Sequence, residues 1–530
     1  MKLIKSIKLI QVFLSLIISL ILFRNWNSEF KNEYELYNIF HFMIFRYEYL
    51  PFLIYSLLSI LIFCSFRKTW GVPFLERIIY ILKNHLYLSF LGFTLVLAAL
   101  SYSLFRLYPL SMDEYVMRVQ AGLFSNWKIF GQIPLELKDY GLRIIPLFTF
   151  YDQETGSFTS SYLPGYSLLL SLFVKCKIVL FLNPILAAAS LYLFLNLSKQ
   201  LLPDFRYKYL LGISVFMTPF FIVNSMSYYA FPAHLFFNLL WLFLRYHHKY
   251  DRLSPWLGIF AISLHQPHFH FLFVLPFLID RWRSGCSKRY YEATVYALGV
   301  LLVVCWKRLF TLPALIPSST AIFSLPGHDQ FLNVLFYILL LVTWTSPLYI
   351  APFIHCITDY KKISRPMLNL LMGVLLSCLF YLFVNFNQGH GWGPRYLYPV
   401  YGNLCLLVLY GLHQIQEIKC YITSLILVSF IWLAFVLPLR FIQINETVMP
   451  FWNSNNYINS IYSKALIIPI SKIWYGQDLI RNEFSGGSSP LRVREDVLPI
   501  KINNLIIEEL NEDKIKELKL KNYFNLTHSP

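Results

Sequence analysis

Apolar runs long enough to approach a bilayer crossing recur along the chain, near residues 7–23, 49–66, 86–105, 178–198, 209–225, 230–246, 290–306, 331–356, 367–386, 397–415 and 421–438. A spanning helix needs about 20 mostly apolar residues, so each run predicts a membrane helix. The stretch 255–280 departs from this pattern. Pro267 interrupts it, and basic residues flank both sides: Arg245, Lys249 and Arg252 before, Arg281, Arg283, Lys288 and Arg289 after. Like charge at both ends predicts two short helices in a hairpin instead of one crossing. The result is an all-α polytopic membrane protein with about thirteen transmembrane segments.

Orientation follows from the polar segments. With the N-terminus in the cytoplasm, the loops at 67–85, 199–208, 247–254, 281–289 and 357–366 all face inward, and all are net basic. This arrangement requires 163–177 to lie along the outer surface. The outer face then receives 106–162, 311–330, 387–396 and the tail after Arg440. The chain divides into a transmembrane domain, residues 1–441, whose external loop 106–177 carries juxtamembrane helices, and an external C-terminal region, residues 442–530. Lys2, Lys5 and Lys8 before the first run predict an uncleaved anchor. Near the other end, Gly486 to Pro490 predicts a turn or linker, and the charged run 506–520 an amphipathic helix.

Composition agrees. Of 530 residues, 57% are hydrophobic and 14% charged, against about 25% charged in soluble domains; mean hydropathy is +0.53. The formal charge of +17 follows the cytoplasmic loops, and no basic tract interleaves with aromatics as a nucleic-acid surface would require. The eight cysteines show neither disulfide nor zinc spacing. An abundance of Phe, Ile, Leu, Asn, Lys and Tyr points to an AT-rich genome and a bacterial inner membrane.

Candidate chemistry lies in the outer loops. In SMDEYVMRVQAGLFSNW, Met112, Val116, Val119 and Leu123 repeat at helical spacing. Ser111 and Glu114 match a capping box, a structural role for Glu114. Asp113 has no such duty. A carboxylate at a helix N-terminus is favoured by the dipole and is free to take a proton; a plain surface Asp is the alternative. HQPHFH supplies His265, His268 and His270, whose spacing fits buried or capping histidines better than a metal site.

The stretch from Asp113 and Glu114 to Tyr162, Leu163, Pro164, Gly165 and Tyr166 resembles the first external loop of GT-C-type polytopic glycosyltransferases, among them protein O-mannosyltransferase-like and lipid A aminoarabinose transferase-like members. There an acidic pair follows an early span, and a Tyr-Pro-Pro-Gly-Tyr-like stretch opens a juxtamembrane helix; here Leu163 replaces one proline. NQGHGWGPRYLYP is similar to a Gly-Pro-Arg-Tyr segment late in bacterial members. The resemblance covers about 100–400. It implies a GT-C-like fold, with a sugar passed from a polyprenyl-phosphate donor to a glycan, lipid or protein hydroxyl on the non-cytoplasmic face. Asp113 and Glu114 would form the catalytic acidic pair. Arg395 would bind the donor phosphate, assisted by His390 and Tyr396, and Tyr162, Pro164, Gly165 and Tyr166 would form a substrate loop. No cofactor is required, although Asp113 with Glu114 could hold a divalent ion. The readings that compete are a transporter or lipid flippase, which would bury ionisable groups within its helices, and, for Arg395, an interfacial aromatic-belt role.

Overall fold

The computed structural model of the chain describes residues 43–63, 72–310, 325–482, 490–495 and 507–518, apart from 45, 248, 359–360, 362, 385–387, 416–417, 463–464 and 474. The expected N-terminal anchor and the glycine-serine stretch 486–489 fall outside the described residues. Among the described residues, four helices are long and apolar enough to cross a membrane: Leu86–Phe105, Val179–Leu201, Lys288–Phe310 and Ile418–Asn459. A fifth is reached if Lys208–Phe216 and Pro219–Met226, bent by 60° at their junction, are one broken span. Other expected runs fold as shorter helices, such as Tyr49–Phe63, Phe231–Tyr246, Arg365–Phe380 and Tyr401–His413. Thirteen full-length spans are not seen among the described residues.

The apolar helices divide their surfaces. Tyr87, Leu91 and Val96 on one helix and Leu301 and Leu302 on another stay exposed, while Trp241, Leu242, Phe216 and Leu407 are fully enclosed. Large apolar faces of that kind need a lipid solvent, so the chain is an integral membrane protein. The junction at Thr218 has a local cause. Its hydroxyl accepts from the Phe221 amide at 3.4 Å, and Pro219 opens the next helix without an amide to leave unpaired.

The break expected at Pro267 is present, between Ser254–Ser263 and His268–Arg283. Carbonyls freed by a break inside a membrane protein need partners. Here the segment opening the helix Gly165–Lys175 supplies them: the Leu163 amide donates to the His265 carbonyl at 3.3 Å and the Tyr166 amide to that of Leu264 at 2.9 Å. Gly165 permits this approach, because a Cβ there would lie 2.5 Å from Ser263 Oγ.

Among the described residues two small sheets add to the helices. Between the helices Met112–Ser125 and Gly165–Lys175, β1 (Gly131–Gln132), β2 (Thr149–Asp152) and β3 (Ser157–Ser160) pair antiparallel in the order β1-β3-β2, with Thr149 opposite Ser160. The turn between β2 and β3 is held by Thr155 Oγ1 donating to Asp152 Oδ2 at 2.6 Å. In the C-terminal region, β4 (Ala465–Ile468), β5 (Leu491–Arg494) and β6 (Ile507–Glu509) pair parallel in the order β5-β4-β6. Residues 507–509 were expected to be helical; they pair with 465–467 instead, so the helix begins only at Glu512. Val493 packs with Ile133, Ile144, Ile145, Tyr151 and Phe158, joining the two regions in one apolar cluster.

The helix Ile418–Asn459 runs 42 residues and passes without a break through the expected boundary at 441/442. Within it, Arg440 is buried against Glu48: Nη1 meets Oε1 at 2.8 Å and Nη2 meets Oε2 at 2.7 Å. Thr343 Oγ1 and Trp344 Nε1 also donate to Glu48, so the pair is enclosed with its carboxylate satisfied on both oxygens.

Candidate active site

The acidic pair lies in the first turn of the helix Met112–Ser125, where the capping box forms as the sequence predicts. Glu114 Oε2 accepts from the Ser111 amide at 3.1 Å, and Oε1 accepts from the Tyr228 amide at 2.9 Å. Both oxygens are thus engaged by backbone. Burial pushes the Glu114 carboxyl up to about 7, against the pull of those two amides and of Arg395. Asp113, one residue earlier, is only partly covered and faces a cavity of about 340 Å³. Its neighbours differ in kind: the Tyr162 hydroxyl donates to Oδ1, and Arg395 Nη2 donates to Oδ2 at 3.1 Å. Burial, with Asp113 alongside, pushes the Tyr162 phenol well up, which keeps it a donor.

Arg395 begins a short 3-10 turn, Arg395–Val400, at the end of a glycine-rich loop. Two glycines there adopt conformations other residues resist: Gly389 with φ +60° and Gly393 with φ +65°. A Cβ on Gly393 would also lie 2.8 Å from the Trp344 ring. This tight path brings loop carbonyls to the guanidinium. Nη1 donates to the His390 carbonyl at 3.0 Å, and Nη2 to the Gln388 carbonyl at 2.6 Å as well as to the Tyr396 hydroxyl at 3.4 Å. The Tyr229 ring lies 4.5 Å from the charge and the Tyr396 ring 5.2 Å. The Nε group is buried without a hydrogen-bond partner.

His390 lines the same cavity, as do Tyr162 and Tyr396. The rest of the substrate-loop stretch does not. Pro164 and Gly165 dock on the broken helix pair, and the Tyr166 hydroxyl donates to Asn183 Oδ1 at 3.2 Å, inside a packed cluster with Met117 and Leu170. Nor does Glu114 line the cavity, so the acidic pair offers it no joint set of oxygens. Among the described residues no group of three or more His, Cys, Asp or Glu is arranged to hold a metal ion. His270 is a satisfied core residue, bonded to Asn238 at 2.8 Å and Tyr296 at 3.0 Å.

Other residues reach the cavity without having been singled out from the sequence. Tyr229 sits at the mouth of an apolar run; its hydroxyl donates to the His390 carbonyl at 2.8 Å. His265, its ring tilted at 34° with its centre 4.2 Å from that of Tyr162, has both ring nitrogens buried without a hydrogen-bond partner. Tyr475, Gln477 and Asp478 arrive from the C-terminal region. The HQPHFH pattern gave a signal for His265; for the others no local pattern exists. Chemically, the cavity sets the Asp113 carboxylate beside a guanidinium able to receive an anion.

No protein-family model matches the sequence, and no curated protein matches it. Among solved structures the chain is similar to ArnT from Cupriavidus metallidurans bound to undecaprenyl phosphate, at 11% identity and a TM-score of 0.43, over 71% of this chain and 66% of that one. It is also similar to ArnT from the same organism in the apo state, at 10% identity and a TM-score of 0.47, over 75% of this chain and 84% of that one. The chain therefore spans just under two thirds of the first of these proteins.

Proposed function

We propose that the chain is a GT-C-like membrane glycosyltransferase that moves a sugar from a polyprenyl-phosphate donor to a hydroxyl acceptor on the non-cytoplasmic face. The observation that carries this reading is the meeting of Asp113 and Arg395, 282 residues apart in sequence, at 3.1 Å in one cavity. In the proposed reaction the acceptor oxygen forms a bond to the anomeric carbon and gives its proton to Asp113. The bond from that carbon to the phosphate oxygen breaks, and the lipid phosphate leaves with the electron pair. Arg395 stabilises the charge that develops there.

The ion pair gives the two roles an order. An arriving phosphate would compete with Asp113 for Nη2 and engage the unpartnered Nε, forming the two-pronged contact that guanidinium favours. That exchange releases Oδ2 to act as base. Glu114 then acts as a positioning residue, fixing the turn from which Asp113 projects. The transporter reading would use ionisable groups within the bundle. The Glu48–Arg440 pair is of that kind, but its carboxylate is saturated and neither residue lines the cavity.

The test is reconstitution with defined polyprenyl-phosphate sugars, reading release of lipid phosphate. Asp113→Asn should lower turnover by roughly two to four orders of magnitude with the fold intact. Wild-type turnover in that variant would remove Asp113 from the mechanism.

A further inference from the structure

The mechanism above uses none of the groups that the C-terminal region brings to the cavity, yet one of them is a carboxylate enclosed there. Asp478 is 2% exposed. Its Oδ1 accepts from the Met112 amide at 3.2 Å, in the first turn of the helix that carries Asp113. Its Oδ2 lies 3.1 Å from His390 Nε2. That approach is close enough for a charge contact but lies off the line of a hydrogen bond, leaving Oδ2 and both His390 nitrogens buried without a hydrogen-bond partner. Burying a carboxylate oxygen and an imidazole unpaired is unfavourable unless a further partner arrives. Sites awaiting a ligand often show such misaligned contacts, which tighten once it binds.

The segment around Asp478 is firmly held. Arg481, also buried, donates from Nε to the Asp478 carbonyl at 2.7 Å and from Nη2 to the Pro109 and Leu110 carbonyls at 2.5 and 2.8 Å. Its guanidinium lies 3.9 Å from the centre of the Tyr108 ring. One buried carboxylate thus touches both halves of the site: the acidic helix through Met112, and the Arg395 loop through His390. The two are coupled further because the His390 carbonyl itself receives Arg395 Nη1.

We infer that Asp478 is a positioning residue that orients His390 to donate a hydrogen bond to the phosphate group held by Arg395. With Nε2–H toward the Asp478 carboxylate, a donation from Nδ1 to the phosphate uses the doubly protonated ring, an imidazolium set between two anions. The C-terminal region thereby completes the phosphate subsite, pairing a planar fork with a second donor from the same loop. The inference rests on the lipid-phosphate reading of the cavity.

A binding cycle separates this role from a structural one. Undecaprenyl phosphate is titrated onto the full-length protein in nanodiscs, for wild type, Asp478→Asn, His390→Gln and the double variant. Asn keeps an acceptor for the Met112 amide but removes the charge. Each single change should weaken binding about tenfold, the worth of one hydrogen bond to a charged group. The double variant should bind as His390→Gln does, within about twofold, because the two residues act as a unit. If Asp478→Asn does not fold, Asp478→Ser keeps an acceptor for the amide and carries the same cycle. Wild-type affinity in the Asp478 variant, or a loss that persists in full in the His390→Gln background, overturns the inference alone. A wild-type protein that binds no undecaprenyl phosphate overturns the lipid-phosphate reading together with it.

Discussion

Replacing Arg395 with Lys separates anion recognition from packing, and the geometry supplies the magnitudes. A lysine ammonium placed where Nη2 now lies can still reach the Gln388 carbonyl, Asp113 and the Tyr396 hydroxyl, the three partners of that one nitrogen. Only the Nη1 bond to the His390 carbonyl is lost, and that carbonyl keeps the Tyr229 hydroxyl as a donor. The change should therefore destabilise the fold by about 1–2 kcal/mol, one hydrogen bond plus part of a cation–π contact. For a phosphate the balance differs. All three ammonium protons are engaged, and no equivalent of Nε remains, so the two-pronged contact is gone. Losing it should remove about 3 kcal/mol of transition-state stabilisation, close to a hundredfold in transfer rate. The assay is lipid-phosphate release at limiting and saturating donor, normalised to folded protein, beside a thermal melt. A Lys variant that melts slightly lower yet transfers at the wild-type rate at both donor levels refutes the phosphate role and leaves only interfacial packing.

Three further outcomes are expected. Because the Glu114 carboxyl is raised from 4.5 to about 7 in the folded chain, its contribution to stability is full below the unfolded value and is lost as pH rises through 7, an effect of up to about 3 kcal/mol. Thermal melts at pH 5 and pH 8 should therefore show a larger decline for wild type than for Glu114→Gln; parallel declines would contradict the assignment. Gly393→Ala meets both a left-handed φ and the Trp344 ring, so it should destabilise by about 2 kcal/mol and weaken binding of undecaprenyl phosphate, with an unchanged melting temperature as the contrary result. In a cysteine-free background, single cysteines at the exposed positions Glu154 and Tyr462 should react with an impermeant reagent from outside, and one at Arg252 only after permeabilisation; the reverse pattern would invert the proposed topology.

Features governed by neighbours in sequence were legible before any coordinates. The Ser111 and Glu114 box and the break at Pro267 depend on residues close to one another in sequence, so their patterns survive in the linear chain. Asp113 and Arg395 could each be singled out, one by its place in a helix turn and the other by the resemblance of its segment to a Gly-Pro-Arg-Tyr stretch. Their ion pair could not, because it forms between loops brought together only by the packed helices. The same limit hid Tyr229 and Asp478. Nothing near Asp478 distinguishes it from a surface carboxylate until Met112 and His390 arrive. The small sheets escaped notice for a different reason: strands of two to four residues are too short to show alternation. Tyr166 looked like a substrate contact by position in its motif, whereas Asn183 and the Tyr228 carbonyl hold it in the packing.

The helix Ile418–Asn459 reaches roughly 63 Å at 1.5 Å per residue, about twice the thickness of a bilayer's hydrocarbon layer. One end lies among the apolar helices; near the other, Phe451 packs 5.3 Å from the His390 ring, and Asn455 and Asn459 receive Arg492 from the C-terminal sheet. Under the proposed function such a rod would act as a depth gauge, setting how far the cavity stands from the membrane midplane. A lipid-borne phosphate has a fixed altitude of its own, at the headgroup layer, so the two heights must agree for the donor to enter. Pro438 and Pro450 interrupt the rod's hydrogen-bond ladder at two points, giving it joints where a small tilt could trim that altitude. Under the proposed function, transfer would then depend on bilayer thickness, with acyl-chain length acting as a tuning parameter.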